Sequence, residues 1–311
     1  MDISRRDFLK AYAAIAGALT LKASGLMRMQ KALAASGEAT GVPVIWLQGQ
    51  SCTGCSVSLL NTIHYMTIDN LLVNELELLY HPTVMAAAGD LAVGAAKGAA
   101  AGYVLVIEGA IPVGAQGHYC HVWEDENGDP VTMETAFDAF WRNASCVLAV
   151  GTCASYGGIP SGKPNPTTAL SVNGALNYFG VCQKDYPVVI NVPGCPSHPD
   201  WIVGTVASLL AGTVPELDGD GRPIEFFGSE VHHNCPNRGQ GDKAKVLGEP
   251  GCLAGLGCNG QQTHADCPVR QWNAGAVGGY GVNWCIGGGN PCQGCTEPGF
   301  PDAMSPFYAL K

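Results

Sequence analysis

The sequence predicts an α/β fold, with a flavodoxin-like parallel-sheet domain over residues 41–215 and an irregular, glycine-rich domain over residues 216–311. Three observations lead to this prediction. In the first part, short apolar runs of strand length alternate with helix-like segments. A Cys-x-x-Cys loop follows the first run, where a nucleotide-binding fold has its glycine-rich phosphate loop. The second part holds 19 of the 42 glycines and seven of the 14 cysteines.

The apolar runs are continuous in hydrophobicity, which is typical of parallel strands that are buried on both faces. Helix-like segments between them indicate βαβ units. The predicted strands are Val42–Leu47, Leu76–Tyr80, Tyr103–Ile107, Cys146–Val150 and Val188–Val192, and the predicted helices are Ser56–Met66, Met133–Trp141 and Trp201–Leu210. From about residue 216 few periodic apolar segments occur, so we expect metal clusters to supply part of the folding free energy there.

Residues 1–34 have the features of an export signal. Ser4–Lys10 matches the twin-arginine pattern, a weakly apolar stretch follows, and Ala32-Leu33-Ala34 offers a cleavage site. This predicts a periplasmic protein exported by the twin-arginine route. Such proteins generally fold in the cytoplasm, where thiols stay reduced, so metal binding is a better expectation for the cysteines than disulfides.

The charge balance bears on possible partners. Residues 1–34 contain six of the 16 basic and two of the 26 acidic residues, which leaves 10 against 24 and a formal charge of −14. This balance argues against nucleic acid and favours a positively charged protein partner. No run of 18 apolar residues occurs and the chain stops at Lys311 without a hydrophobic tail, so no transmembrane anchor is expected in it.

Four cysteines follow three of the predicted strands: Cys52, Cys55, Cys153 and Cys195. Because parallel strands end at one edge of a sheet, the three loops are expected to bring these thiols together. A lone Cys-x-x-Cys could equally be a redox dithiol or half of a zinc site. Four converging thiolates favour an iron–sulfur cubane instead.

Two further groups lie in the glycine-rich part. One consists of His232, Cys235, Cys252 and Cys258, with His233 as a competing ligand that chemistry alone does not exclude. The other consists of Cys267, Cys285, Cys292 and Cys295. Cys146 is predicted to be a small buried hydrophobe, and Cys120 and Cys182 have no ligand spacing. For Glu108, at a strand end, a place near the first cluster or a partner interface and a structural hydrogen-bonding role both remain open.

The motifs together resemble the small subunit of nickel–iron hydrogenases over Val42–Tyr308. They are CTGCSVSLL, EGAIP, VGTCASYGGIP, VNVPGCPSHPDW, H-x-N-C-P, P-G-C-x(5)-C, NPCQGCTEP-x-FPD and SPFY. In that family the first group binds the proximal cluster, the histidine-containing group the distal cluster at the surface, and the last group the medial cluster. We therefore name the three sets of residues the proximal, distal and medial groups. The family spacing H-x-x-C selects His232 rather than His233.

Two departures from the commonest family pattern refine the expectation. Most members have a proline where this chain has Cys285, and a three-iron medial cluster. A fourth thiolate implies a [4Fe–4S] medial cluster instead, or a [3Fe–4S] cluster if Cys285 does not ligate, and is similar to the nickel–iron–selenium branch. Oxygen-tolerant relatives carry two extra cysteines at positions that correspond to Gly54 and Gly158, so a standard proximal [4Fe–4S] cluster is expected.

The resemblance implies an electron-transfer subunit, without catalytic residues of its own, of a periplasmic hydrogenase that catalyses H₂ ⇌ 2H⁺ + 2e⁻. Its partners would be a large subunit with the Ni–Fe centre and a multihaem cytochrome c. Three rival interpretations remain at this stage: the cluster-bearing subunit of respiratory complex I, a disulfide-stapled exported binding protein, and a free-standing ferredoxin.

Overall fold

A computed structural model describes residues 41–239, 243–272 and 283–307. The predicted export signal, residues 1–34, lies outside these ranges.

The strands are β1 Val42–Gln48, β2 Leu76–Tyr80, β3 Val104–Glu108, β4 Ile111–Pro112, β5 His121–Glu124, β6 Pro130–Thr132, β7 Cys146–Val150, β8 Ala169–Leu170 and β9 Val188–Val192. The α-helices are α1 Gly54–Leu59, α2 Ile68–Asn70, α3 Asp90–Lys97, α4 Met133–Trp141, α5 Thr152–Tyr156, α6 Gly158–Ser161, α7 Val172–Tyr178, α8 Pro199–Leu210, α9 Ile224–Phe227 and α10 Cys267–Arg270. A π-helical turn, Leu71–Glu75, and short 3₁₀ turns complete the described elements.

Five parallel strands form the central sheet in the order β2-β1-β3-β7-β9. Numbered by their sequence order within this sheet, they follow 2-1-3-4-5, which is the flavodoxin-like arrangement. The predicted α/β class and parallel sheet are therefore confirmed. Outside this sheet, β4 pairs with β8 and β5 pairs with β6, and both pairs are antiparallel.

Burial on both faces of the sheet explains the continuous apolar runs. Along β1, Val44 and Trp46 belong to one hydrophobic cluster, while Ile45 and Leu47 belong to the cluster on the opposite face. The same alternation holds along β3 and β7. Cys146, the first residue of β7, is buried as predicted, and burial raises the pKa of its thiol to about 12.

The helix predicted at Ser56–Met66 is wrong in its length. It begins at Gly54 and ends at Leu59, one turn and a half long. Residues 61–63 are Asn, Thr and Ile, which are weak helix formers. The Asn61 side-chain amide donates to the Val57 carbonyl and so satisfies one of the acceptors left at the helix end. The helices α3 and α7 and the β5–β6 hairpin are additions that the sequence patterns did not predict.

The part after residue 216 contains only short helical turns and isolated bridges in its described residues. Its apolar side chains join the hydrophobic cluster that lies on one face of the sheet. Trp201 from α8 packs against Phe227 of α9 with ring centroids 4.9 Å apart, and Trp284 belongs to the same cluster. In the described ranges no helix is long and apolar enough to cross a membrane.

Candidate iron–sulfur sites

The proximal group lies at the carboxyl ends of β1, β7 and β9, as the sequence predicts. A Cβ built on Gly151, next to β7, would lie only 2.5 Å from the Cys55 sulfur, so the β7 loop passes directly over this thiol. Burial raises the pKa of Cys55 well above its ordinary value, and the charges of Glu108, Cys153 and Cys195 raise it further. Loops that are far apart in sequence therefore meet at one sheet edge.

The charges of neighbouring thiols contribute to the raised pKa values of Cys55, Cys153 and Cys195 in this group. Burial is the largest cause for Cys153, whose pKa rises to about 12, and Cys195 and Cys52 add to it. Burial also raises the pKa of Cys195, with Cys52 as the second cause. Thiols whose negative charge is disfavoured in this way are suited to a site where bound cations replace the protons.

Backbone geometry packs the proximal loops tightly around the sulfurs. Thr53 has a left-handed conformation, with φ 63°, which is strained for a β-branched residue. Cβ atoms built on Gly54 and Gly158 would lie 3.0 Å from the sulfurs of Cys52 and Cys153, respectively. Gly158 also has φ +52°. The two glycines singled out in the sequence thus contact the proximal thiols directly.

Glu108, whose role the sequence left open, is a structural hydrogen-bonding residue at the proximal group. Its carboxylate is 1% exposed and accepts backbone N–H groups from Cys55 at 3.0 Å and Ser56 at 3.3 Å. It also accepts from the Trp46 indole N–H at 3.0 Å. The Gln48 amide and the hydroxyls of Ser51 and Ser56 are further donors to it. One buried carboxylate therefore fixes the Cys-x-x-Cys turn to β1.

The distal group is assembled from two adjacent loops. The His232 N–H donates to the Gly260 carbonyl at 2.8 Å, and the Cys235 N–H donates to the His232 carbonyl at 3.3 Å. Burial raises the pKa of Cys235, to which the charges of Cys258 and Cys252 also contribute. The three cysteines are therefore neighbours, with the backbone of His232 beside them.

The neighbouring histidine is engaged elsewhere. The ring of His233 is exposed, and its Nδ1 lies 3.2 Å from the Arg238 guanidinium. Arg238 donates to the His233 carbonyl as well, at 3.1 Å. Because Arg238 can only donate, Nδ1 of His233 accepts this bond. These contacts favour His232 over His233 as the histidine available to the distal group.

The medial group contains all four predicted cysteines. Burial raises the pKa of Cys267 well above its ordinary value, and the charges of Cys295, Cys292, Asp266 and Cys285 raise it further. Burial likewise raises the pKa of Cys292 to about 11, and Cys285 is again among the charges that add to it. Cys285 therefore acts electrostatically on two medial thiols, while burial and the charge of Cys258 in the distal group contribute to the raised pKa of Cys285.

The three groups are also linked to each other. The Cys292 N–H donates to the sulfur of Cys258 at 3.3 Å, which joins the medial and distal groups. The hydroxyl of Thr152, the residue before Cys153, donates to the carbonyl oxygen of Cys295, which joins the proximal and medial groups. The medial group therefore lies between the other two.

The chemistry of the donors fits clusters better than the alternatives. All 14 cysteines lie in the described ranges and all are free thiols, so the disulfide-stapled interpretation has no support. Within residues 41–239, 243–272 and 283–307, no three His, Cys, Asp or Glu side chains are close enough to share a single metal ion. A cubane binds each thiolate to a different iron and so requires wider spacing than a one-ion zinc site.

Two residues that sequence reasoning missed tie the proximal loops to the medial loops. His198 is 1% exposed, accepts the Asp200 N–H on Nδ1 at 3.0 Å, and therefore donates from Nε2 to the Gln271 carbonyl at 2.8 Å. The Trp201 indole donates to Asp266 at 2.8 Å. The motif PSHPDW contains both residues, but its spacing carries no sign of their partners 65 and 73 residues away.

A buried arginine anchors the segment after the medial cysteines. The guanidinium of Arg222 pairs with Asp218 at 2.7 Å and with Asp220 and Glu297 at 3.1 Å each. Glu297 follows Cys295 by two residues. On the other side of the network, Gly221 precedes Arg222, and its carbonyl accepts the N–H of Asn191 in β9. This ion-pair network therefore connects the medial loop to the edge of the central sheet.

Comparison with known families divides the chain into two matched parts. A family described as "NADH ubiquinone oxidoreductase, 20 Kd subunit" matches residues 52–209, the part with the proximal group. A second family, described as the C-terminal part of the NiFe/NiFeSe hydrogenase small subunit, matches residues 227–308, which contain the distal and medial groups. The second match distinguishes this chain from the complex I interpretation.

Individual relatives extend over the whole chain. The small subunit of the periplasmic [NiFeSe] hydrogenase of Desulfomicrobium baculatum is 41% identical over 329 residues, covering 100% of both chains. Small subunit 1 of the periplasmic [NiFe] hydrogenase of Nitratidesulfovibrio vulgaris is 37% identical and covers 98% of this chain and 93% of that one. A crystallised Dm. baculatum [NiFeSe] hydrogenase chain superposes with a TM-score of 0.80 at 42% identity, covering 88% of this chain and 100% of that chain.

These similarities agree with the converging thiols and the flavodoxin-like sheet. The chain belongs to the family of small subunits of nickel–iron and nickel–iron–selenium hydrogenases, and is the small-subunit part of a hydrogenase heterodimer.

Proposed function

We propose that this chain passes electrons between a large-subunit Ni–Fe centre and a cytochrome c through three [4Fe–4S] clusters, in the reaction H₂ ⇌ 2H⁺ + 2e⁻. The observation that carries the proposal is the order of the cysteine groups. The carbonyl of medial Cys295 accepts the hydroxyl of Thr152, next to proximal Cys153, and the N–H of medial Cys292 donates to the sulfur of distal Cys258. When bound, each cluster would take up and release one electron.

The proposed ligands are those expected from the sequence. They are Cys52, Cys55, Cys153 and Cys195 for the proximal cluster, His232, Cys235, Cys252 and Cys258 for the distal cluster, and Cys267, Cys285, Cys292 and Cys295 for the medial cluster. The protein's contribution is to hold these donors in preformed loops. The electrostatic effect of Cys285 on Cys267 and Cys292 supports four-iron rather than three-iron occupancy there.

We assign the large subunit to the sheet edge that carries the proximal group. Cys52 and Cys195 are exposed there. Val57 and Leu60, on and just after α1, and Ile159, beside Gly158, are exposed apolar side chains in the segments that follow Cys55 and Cys153. Apolar side chains clustered on a surface mark a protein interface. A partner that covers this edge would also shield the proximal cluster from water.

The cytochrome is assigned to the opposite end, at the distal group. The acidic surface of the mature chain would steer a lysine-rich cytochrome by long-range attraction. Close to the distal group the surface differs, because Arg238, Lys243 and Lys245 are exposed beside exposed Val246 and Leu247. We therefore expect the negative net charge of the chain to steer the cytochrome, and apolar side chains to make the final contact. The association rate should fall as the salt concentration increases.

The periplasmic relatives and the proposed signal in residues 1–34 support a location in the periplasm. Export is tested by the size of the mature protein, since cleavage after Ala34 removes 34 residues.

We also propose that the chain has two domains, which consist of residues 41–215 and residues 216–311.

The function is tested on the heterodimer purified from its producing cells. We expect the two subunits to co-purify and the smaller one to contain roughly twelve irons. A stable, cluster-loaded chain that never associates with a large subunit would indicate a ferredoxin instead.

The docking face is tested with charged substitutions. Val57→Glu combined with Leu60→Glu should abolish co-purification of the two subunits. Val73→Glu is the matched control, because Val73 is 70% exposed and lies just before β2, at the opposite edge of the sheet. Equal losses in both variants would contradict the assignment.

A further inference from the structure

Two exposed histidines face each other at the start of the β5–β6 hairpin. Nδ1 of His118 lies 3.2 Å from Nε2 of His121, and the two rings are nearly perpendicular, at 88°. A metal ion that binds two imidazole nitrogens at about 2.0–2.1 Å, with an octahedral or tetrahedral angle between them, holds the nitrogens about 2.8–3.4 Å apart. The observed separation is therefore that of two ligands of one ion.

Both histidines are attached to the same point of the hairpin. His121 pairs with Thr132 across the two strands. Gly117, which precedes His118, is buried with φ +78°, and a Cβ built on it would lie 2.9 Å from the Thr132 hydroxyl. The Gly117 carbonyl accepts the Cys120 N–H at 3.1 Å, which closes the turn between the two histidines. Because this backbone is already ordered, little ordering entropy opposes the binding of an ion.

Water would complete the coordination of an ion held by this pair. The side chain of Cys120, between the two histidines, packs against the hydrophobic cluster that contains Phe137. Among the side chains of residues 41–239, 243–272 and 283–307, no three His, Cys, Asp or Glu are placed to hold one ion together. Two protein ligands with the remaining positions open are typical of an exchangeable metal, in contrast to the four ligands of a structural zinc site.

The charge around the pair favours cations. Residues 118–132 contain no lysine or arginine, and four acidic residues lie between the last residue of β5 and the residue before β6. They are Glu124, Asp125, Glu126 and Asp129. Their summed field raises the local concentration of divalent cations. The imidazoles then select among these cations, because imidazole suits zinc, copper and nickel, whereas carboxylate and water suit magnesium and manganese.

We propose that His118 and His121 bind one late first-row transition-metal ion, such as Zn²⁺, Ni²⁺ or Cu²⁺, through the two facing nitrogens. The site lies outside the proximal, distal and medial groups, so it goes beyond the proposed electron transfer. A bound ion ties the loop that carries His118 to β5. It therefore stabilises the folded hairpin, since the ion binds the native chain in preference to the unfolded one.

The experiment titrates Zn²⁺ alone into the purified heterodimer by isothermal calorimetry, because this ion has no redox chemistry of its own. His118→Ala, His121→Ala and the double variant are compared with the unmodified protein. Two variants are controls: His64→Ala removes an exposed histidine elsewhere, and Cys182→Ala removes an exposed thiol. Iron content before and after each titration shows whether zinc has displaced iron.

We expect one Zn²⁺ per heterodimer whose binding depends on both histidines, with the iron content unchanged. Each single variant should bind this ion about a hundredfold more weakly, because chelation by two linked ligands is lost. The double variant should lose this binding, and both controls should bind as the unmodified protein does. Ni²⁺ should compete for the site and Mg²⁺ should not.

Crystals of the heterodimer soaked in Zn²⁺ give the position directly, since anomalous scattering at the zinc edge should place the ion about 2.0–2.1 Å from both nitrogens. Zinc binding that is unchanged in either single variant, or equal competition by Mg²⁺, would overturn the proposal. Absence of stoichiometric zinc binding would overturn it as well, and would show that the two rings share only a hydrogen bond. None of these outcomes affects the proposed function, which fails instead if the heterodimer lacks the three clusters.

Discussion

The backbone N–H of Cys292 donates a hydrogen bond to the sulfur of Cys258 over 3.3 Å. The two residues belong to different groups, one medial and one distal. At the other junction the hydroxyl of Thr152, next to proximal Cys153, donates to the carbonyl oxygen of medial Cys295. Direct hydrogen bonds therefore join the medial loops to the proximal loops and to the distal loops. These contacts make the three groups a chain rather than three separate sites.

Cys285→Ala tests the fourth medial ligand. Loss of this thiolate should convert the medial cluster to three irons, lowering the content from roughly twelve to roughly eleven per chain. A three-iron signal should then appear in electron paramagnetic resonance of the oxidised heterodimer. Cys182→Ala is the control, because Cys182 is an exposed free thiol outside the three groups. A stoichiometric three-iron signal already present in the unmodified protein would contradict the four-ligand assignment.

Glu108→Gln should destabilise the chain by about 2–4 kcal/mol and reduce proximal cluster occupancy. The neutral amide has one acceptor oxygen in place of two, and its NH₂ group would face the donors of Trp46 and Gln48. Chemical denaturation and iron content measure the two effects. Glu77→Gln, at an exposed position of β2, is the matched control and should change stability by less than about 0.5 kcal/mol. Unchanged stability in both variants would rule out the role assigned to Glu108.

Arg222→Met should cost about 3–5 kcal/mol, because it removes the cation from the buried carboxylate of Glu297 and from the partly buried carboxylate of Asp218. Arg142→Met breaks an exposed pair with Asp138 and should cost about 1 kcal/mol or less. Urea denaturation of both variants gives the comparison. Similar losses would mean that the Arg222 network is no stronger than a surface ion pair.

Stability should decrease as the pH falls from about 6.5 to about 4, in part because of His198. Burial lowers its pKa from 6.5 to about 4, with the nearby Arg270 and His64 charges acting in the same direction. The unfolded state therefore binds more protons in this window, so the contribution of His198 is complete above pH 6.5 and is lost toward pH 4. The shift corresponds to about 3 kcal/mol.

His198→Phe should make this pH dependence shallower, which denaturation curves at several pH values can measure once the iron content of each sample is verified. His81, whose pKa burial also lowers to about 4, should account for a second, separate share. An unchanged slope in His198→Phe would mean that the proton is not taken up at this residue on unfolding.

Much of the fold was predictable because a sheet that is buried on both faces has strands that are continuous apolar runs in the sequence. Leu76–Tyr80, Cys146–Val150 and Val188–Val192 are strands with the predicted ends. Helix ends were less predictable, because a side chain near a helix end can take a carbonyl acceptor from the backbone. The Asn61 amide does this at the Val57 carbonyl, at the end of α1. The Cys-rich groups were identifiable from their spacing, but the donors to Glu108 come from residues 52 to 62 positions away.

The sequence by itself determined the parallel-sheet class, the thiol and histidine donors and the family resemblance, because these depend on residue type and short spacing. Only the tertiary structure decided how the groups are joined. Thr152 and Cys295 are separated by 143 residues, and Cys258 and Cys292 by 34, so no local pattern records their hydrogen bonds. Packing of the cysteine-rich part against the sheet brings these backbone groups within bonding distance and places the medial group between the other two.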